Sequence, residues 1–158
     1  MGDSTTSRVR YGRVAPAPMR ALSAIGDYLA GCGLEASLLD LVELRASTLN
    51  GCAYCLQMHS RAALARGERV ERLFQLAAWP ESPVFSERER AALAWTEAVT
   101  EVRDGHVPDE VYARARAHFS EKELVDLTWA VAAINAWNRL SIAFRYPPEI
   151  PGASAPPG

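Results

Sequence analysis

Residues 50–59 have the sequence NGCAYCLQMH, and this stretch decides the fold expected of the chain. Asn50-Gly51 interrupts a helical repeat of apolar residues, and such a pair predicts a turn. Helical periodicity resumes from about Cys52 to Arg66, where Gly67 is suited to cap the C-terminus of a helix. The sequence therefore predicts two consecutive helices joined by a tight turn, with both cysteines near the start of the second.

The same helical pattern extends over the rest of the chain. Apolar residues recur at three- and four-residue steps in four further segments, residues 19–29, 38–49, 70–78 and 124–140. Ser86 and Ser120 each begin a Ser-x-x-Glu capping box, which predicts a helix start. Pro108 fits the first turn of a shorter helix. Because alternation of β-branched residues is scarce, we predict an all-α, single compact helical domain.

The ends of the chain differ in composition from the centre. A polar start, followed by Pro16 and Pro18, predicts a loose N-terminal arm over residues 1–17 and then a helical domain over residues 18–148. A proline-rich, irregular tail is expected over residues 149–158. The last helix is apolar around most of its surface from Trp129 to Phe144. Such a helix packs in the core or at a subunit contact, and we expect both, so the chain should form homo-oligomers.

Composition and charge exclude several classes of protein. With 158 residues, 49% hydrophobic residues and a formal net charge of −2, the chain is long and apolar enough for one globular domain. No basic face is available for nucleic acid, and no apolar run is long enough to span a membrane. The N-terminus lacks a secretory signal, which predicts a cytoplasmic protein. In a reducing compartment, a close cysteine pair is typical of redox chemistry or metal binding rather than of structural disulfides.

Cys52, Cys55 and His59 form the constellation that can carry chemistry. Steps of three and four residues place side chains on one face of a helix, so these three should meet. The cysteines are spaced closely enough for a disulfide that forms and breaks during a catalytic cycle. An ordinary thiol, with a pKa near ~8.5, is only about 3% ionised at pH 7. A helix start and a nearby imidazole favour the thiolate, which can attack a peroxide.

The histidine needs an acidic partner if it is to move protons. Asp40 and Glu43 share a face of the preceding helix, and either could reach His59 if the two helices pack as a hairpin. Spacing alone does not choose between the two carboxylates.

Metal and cofactor sites fit the sequence less well. A zinc site needs a fourth ligand, and Cys32, His106 and His118 lie far from the motif. An iron–sulfur cluster requires four thiolates, and the chain has three cysteines. A c-type haem requires histidine directly after the second cysteine, where Leu56 stands. We therefore expect no metal and no cofactor.

Four blocks of the sequence carry a resemblance to a known family. They are LRASTLNGCAYCLQMH (residues 44–59), FSERERAALAW (residues 85–95), DGHVP (residues 104–108) and INAWNR (residues 134–139). Together they resemble the alkylhydroperoxidase AhpD-like proteins of the carboxymuconolactone decarboxylase family. The resemblance extends over most of residues 18–148.

The resemblance implies a function and a role for each residue of the motif. It implies a thiol peroxidase in which Cys55 attacks a small-molecule hydroperoxide and Cys52 then closes a disulfide. His59 would belong to a proton relay with an upstream acid, usually a glutamate twelve residues before the first cysteine. That position is Asp40 here, so Glu43, one turn later, is the other candidate. The resemblance further implies trimers or multiples of trimers and a dithiol reductant, of the lipoyl type in the best-known members.

Two other functions remain open at the level of sequence. The decarboxylase branch of the family acts on a lactone and does not depend on the cysteine pair. A non-catalytic thiol redox sensor or assembly module is the third hypothesis, because the final helix is so apolar. The presence of both cysteines favours the peroxidase.

Overall fold

The computed structural model describes residues 7–149, in which eight α-helices form a bundle without any strand. The helices are α1 (Tyr11–Val14), α2 (Pro16–Leu29), α3 (Ala36–Asn50), α4 (Ala53–Ala65), α5 (Val70–Gln75), α6 (Glu87–Thr100), α7 (Asp109–His118) and α8 (Glu121–Ala143). A short 3-10 segment, Leu76–Ala78, continues α5. The predicted all-α fold is confirmed.

Helix α3 lies at the centre of the bundle and packs against α4, α6 and α8. Apolar residues of α3 contribute to two core clusters. Val42 belongs to one cluster together with Leu127 of α8, and Leu41 belongs to the other together with Leu93 of α6. All four of these side chains are fully buried, and burial of each contributes about 1.5–3 kcal/mol. Acidic residues on α3 are therefore held in fixed positions relative to α4.

Both predicted capping boxes are present at the starts of α6 and α8. At α8, the Ser120 backbone N–H donates to the Glu123 carboxylate, and Arg88 donates to the same group. These hydrogen bonds lower the pKa of Glu123 to about 2. The carboxylate therefore stays charged at neutral pH, and this contribution to stability is lost only as the pH falls from the ordinary range toward about 2.

The ends of the described chain are more ordered than the composition suggested. Within the predicted arm, α1 forms a helical turn and α2 begins at Pro16, since proline fits the start of a helix. The Arg8 backbone N–H donates to the Phe144 carbonyl at 2.8 Å, which pairs the two ends of the domain. Residues 1–6 of the arm and 150–158 of the tail lie outside the described residues, and the proposed domain limits remain a prediction.

Helix α8 has one face in the core and one face exposed. Leu127 and Val131 are fully buried, whereas Val125 and Trp129 are 56% and 51% exposed. Tyr28 of α2 is also half exposed and borders the same side, forming with Val125 and Trp129 what we call the α8 apolar patch. None of the helices in residues 7–149 is both long enough and apolar enough to cross a membrane.

Candidate active site

The turn between α3 and α4 places the cysteine motif. Gly51 caps α3 in the left-handed conformation, with φ of 69°, which glycine adopts without a steric penalty. Cys52 follows in extended conformation, and its backbone N–H donates to the Ser47 carbonyl at 3.0 Å. The two predicted helices are joined by this tight turn and pack against each other, and Cys52 is the N-cap of α4.

Cys52 and Cys55 lie together at the start of α4. Their Cα atoms are 5.3 Å apart and their sulfurs are at disulfide contact. The Cys52 Sγ also accepts a hydrogen bond from the Cys55 backbone N–H at 3.3 Å. Each residue is only 1% exposed. The structure thus brings the two sulfurs together at the helix terminus, where unpaired N–H groups favour negative charge.

The imidazole of His59 pairs with Glu43 across the hairpin. The His59 Nδ1 lies 2.8 Å from the Glu43 Oε2, and the histidine side chain is 13% exposed. The His59 Nε2 is buried and has no hydrogen-bond partner within residues 7–149. A carboxylate on Nδ1 holds the proton on that nitrogen and leaves Nε2 free to take up another proton. This arrangement suits an imidazole that shuttles protons.

Asp40 makes a different contact. Its carboxylate is 2% exposed and accepts two hydrogen bonds from Arg66, one from Nε at 2.8 Å to Oδ2 and one from Nη2 to Oδ1. The hydrogen bond to Asp40 is the main cause of a raised Arg66 pKa, so the guanidinium stays charged. Because Arg66 caps α4, this pair ties the end of α4 to α3. The structure therefore joins Glu43, and not Asp40, to the imidazole.

A cavity of about 280 Å³ adjoins the cysteine motif. Its polar lining consists of Glu43, Cys55, His59 and Ser141, whereas Cys52 is not among the lining residues. The remaining lining is aromatic or apolar, namely Tyr11, Gly12, Met19, Tyr54, Met58, Trp137 and Tyr146. A larger cavity, of about 550 Å³, lies against α4 and α5 but has no titratable side chain in its lining. The smaller cavity is therefore the candidate active site.

Three tyrosines form one wall of this smaller cavity. Tyr146 lies 5.1 Å from Tyr54 and 5.4 Å from Tyr11 between ring centroids. Burial, followed by the neighbouring tyrosines, raises the pKa of Tyr54, so its phenol is neutral at physiological pH. Gln57 fixes the segment after Tyr146 through two hydrogen bonds with the Glu149 backbone, at 2.7 and 3.3 Å. Sequence reasoning missed this wall because its members are far apart along the chain.

A network of amide side chains, centred on the buried Asn138, holds the turn that carries the cysteines. Asn50 donates to Asn135 and Asn138 of α8 at 3.0 and 2.9 Å. Asn138 is fully buried and donates to the Ser47 Oγ at 3.0 Å. The Ser47 carbonyl in turn accepts from the Cys52 N–H. The network therefore connects α8 to the backbone of the motif.

We expect Asn138→Ala to lower the free energy of unfolding by about 2–3 kcal/mol, because it leaves the buried Ser47 Oγ without its donor and removes one of the two amide oxygens to which Asn50 donates. Urea denaturation of both proteins measures this difference. A cycle with Ser47→Ala and the double variant should give a coupling energy of about 0.5–3 kcal/mol. Purely additive effects would show that the contact does not stabilise the turn.

Within residues 7–149, no three His, Cys, Asp or Glu side chains are grouped so that they could hold a metal ion. The third cysteine, Cys32, lies beside the core and is partly buried. His106 has a positive φ of 54° in the loop before α7. Neither Cys32 nor His106 lines the cavity beside the cysteine motif, so the candidate site consists of the cysteine pair, His59 and Glu43.

Comparison with known proteins places this fold and site in a family. A sequence model of the carboxymuconolactone decarboxylase family matches residues 16–98, which include the cysteine motif. The uncharacterized protein YdfG of Bacillus subtilis is 38% identical over 138 residues, which span 87% of this chain and 94% of YdfG.

Solved structures give the same result. One is a protein of unknown function from Agrobacterium tumefaciens, described as a candidate antioxidant-defence protein AhpD. It matches with a TM-score of 0.89 at 38% identity over 92% of this chain and 99% of that one. A peroxidase-related protein from Ralstonia eutropha JMP134, described as an AhpD alkylhydroperoxidase core, matches with a TM-score of 0.76. At its 22% identity, over 87% of this chain and 74% of that one, the likeness concerns the fold alone. The chain therefore has the AhpD-like fold and belongs to the carboxymuconolactone decarboxylase family.

Proposed function

We propose that this protein is a thiol-dependent peroxidase that reduces alkyl or hydrogen peroxides through a Cys52–Cys55 dithiol/disulfide cycle. One observation carries the proposal: Cys55 lines a cavity together with the His59–Glu43 pair, and its sulfur is at disulfide contact with Cys52. This arrangement supports roles for Cys55 as the nucleophile, for the His59–Glu43 pair as the proton shuttle and for Cys52 as the second thiol.

In the first step, the Cys55 thiolate attacks the terminal oxygen of the hydroperoxide. The O–O bond breaks, Cys55 becomes a sulfenic acid, and the leaving alkoxide takes a proton to become an alcohol. The imidazole of His59 supplies that proton and is held in place by Glu43. Glu43 and His59 are already paired in the structure, at 2.8 Å.

In the second step, the Cys52 thiolate attacks the sulfur of the sulfenic acid. A disulfide forms and the hydroxyl group leaves as water once it is protonated. Cys52 is suited to this role because its sulfur accepts a hydrogen bond at the N-terminus of α4, where negative charge is favoured. Two electrons from a dithiol then restore both cysteines.

The lining of the cavity supports an organic hydroperoxide as substrate. Aromatic rings and thioethers line the cavity together with Cys55, and such a surface favours an apolar group next to the O–OH. The relative described as a candidate antioxidant-defence protein, at 38% identity, agrees with this chemistry.

The catalytic cycle needs a reductant and a compartment that keeps thiols reduced. The reductant is a dithiol, with a lipoyl-type dithiol as the leading candidate, and the cycle belongs in a reducing compartment such as the cytoplasm. We propose that the α8 apolar patch is covered in a homo-oligomer, a trimer or a multiple of trimers, because exposed apolar patches mark protein contacts.

Stopped-flow mixing of the reduced protein with an alkyl hydroperoxide tests the proposal. We expect one equivalent of peroxide to be consumed and a product two mass units lighter, with the new bond mapped to Cys52 and Cys55. Recovery of both thiols unchanged would contradict the proposal. Processing of a lactone by a protein without either cysteine would favour the decarboxylase instead.

A further inference from the structure

We propose that the dithiol reductant enters the same 280 Å³ cavity as the peroxide and attacks Cys55, so that Cys52 departs as the thiolate. This inference rests on the proposed function and identifies which of the two sulfurs is reduced first. The reductant would then be a small, apolar dithiol, since it has to fit among the tyrosines and methionines of the lining.

Access favours Cys55 as the sulfur that is attacked. Thiol–disulfide exchange depends on which sulfur the incoming thiolate can reach. Cys55 and Cys52 are equally buried, at 1% exposure, but Cys55 is a lining residue of the cavity and Cys52 is not. A thiol inside the cavity therefore reaches the sulfur of Cys55. The sulfur of Cys52, which is bonded to Cys55, does not line the cavity.

The leaving group also favours this direction. Exchange is faster when the departing sulfur is stabilised as a thiolate. The Cys52 Sγ is the N-cap of the 13-residue helix α4 and accepts the Cys55 backbone N–H at 3.3 Å. The helix N-terminus favours a negative charge at that atom. Attack on Cys52 would instead release a thiolate at Cys55, which is not the cap of the helix.

The atoms and electrons of the cycle balance. The thiolate of the reductant forms a bond to the Cys55 sulfur, and the Cys52–Cys55 bond breaks with its electron pair on Cys52. The second thiol of the reductant, once deprotonated, attacks the reductant sulfur bound to Cys55 and releases Cys55 as a thiolate. The reductant leaves as a cyclic disulfide, and its two protons re-protonate the site. One dithiol is oxidised and one disulfide is reduced.

Trapping the intermediate tests the inference on the full chain. The protein is oxidised with diamide instead of peroxide, mixed with the monothiol 2-mercaptoethanol, and quenched with N-ethylmaleimide at several times. Fragmentation mass spectrometry then locates both adducts. We expect the mercaptoethanol on Cys55 and the maleimide on Cys52 in at least about tenfold excess at the earliest times. The opposite pattern, or an even split, would overturn the inference.

A pair of variants tests independently whether the reductant enters through the site cavity. This measurement does not require the mixed disulfide to live long enough to be trapped. Met58 and Leu64 both belong to α4 and are both 42% exposed, but only Met58 lines the site cavity. Met58→Trp narrows that cavity and should slow reduction of the diamide-formed disulfide at least about fivefold, whereas Leu64→Trp should change it less than about twofold. Equal rates in both variants would show that the reductant uses another route.

Oxidation by peroxide and reduction at Cys55 are measured separately. Because diamide forms the disulfide, these experiments do not require any reaction with peroxide. If the protein does not react with hydroperoxide but its disulfide is reduced at Cys55, the peroxidase function is contradicted and the order of reduction is supported. A protein that is oxidised by hydroperoxide but reduced at Cys52 would show the reverse.

Discussion

Cys55→Ser is expected to lower the rate of hydroperoxide consumption at least about a thousandfold, to the background of the uncatalysed reaction. Serine is close in size to cysteine, so the packing at this 1% exposed position should be kept. Its hydroxyl is not ionised at neutral pH and cannot attack the O–O bond. Peroxide loss in a coupled or dye-based assay measures the effect, and circular dichroism checks the fold.

Cys52→Ser is the matched control, because it removes one sulfur from the other position of the same motif. This variant keeps the nucleophile but cannot close the disulfide, so it should consume about one equivalent of peroxide and then stop. A sulfenic acid at Cys55, trapped with dimedone, is the expected product. Sustained turnover by Cys55→Ser would rule out the assigned nucleophile.

Local patterns were sufficient to predict most of the fold. The Asn50-Gly51 turn, the capping boxes at Ser86 and Ser120 and the helical periodicity all depend on residues within a few positions of each other. A helix is built from such short-range hydrogen bonds, so its limits can be inferred from the sequence. The meeting of Cys52 and Cys55 was predictable for the same reason.

Contacts between residues that are far apart in the sequence could not be predicted from local patterns. The wall of Tyr11, Tyr54 and Tyr146 joins both ends of the domain to α4, and no spacing rule relates these positions. The N-terminal arm was predicted as loose because its composition is polar, yet Tyr11 belongs to a helical turn that lines the cavity. The N-terminal segment is ordered because it packs against the C-terminal end of the domain.

Local patterns also could not show which carboxylate, Asp40 or Glu43, pairs with His59. Asp40 and Glu43 are equivalent by helical spacing, and both lie on α3 opposite α4. What separates them is Arg66, seven residues beyond His59, which takes both oxygens of Asp40. Because the guanidinium presents two parallel donors to a carboxylate, this pairing leaves Glu43 to the imidazole.

Glu43→Gln should slow the oxidation of Cys55 by peroxide about 10- to 100-fold. The amide can still accept a hydrogen bond from the His59 Nδ1, but it removes the negative charge that stabilises the imidazole when it holds a second proton. The pH–rate profile of the reaction should change shape for the same reason. Single-turnover stopped-flow experiments over a range of pH measure both effects.

Asp40→Asn is the matched control, since it neutralises a carboxylate on the same helix, one turn away. It breaks the charged pair with Arg66, so we expect a lower free energy of unfolding. The rate of Cys55 oxidation should stay within about threefold of the parent, with an unchanged pH–rate profile. If Asp40→Asn slowed the chemistry and Glu43→Gln did not, the acid of the relay would be Asp40 and the assignment made from the 2.8 Å contact would be wrong.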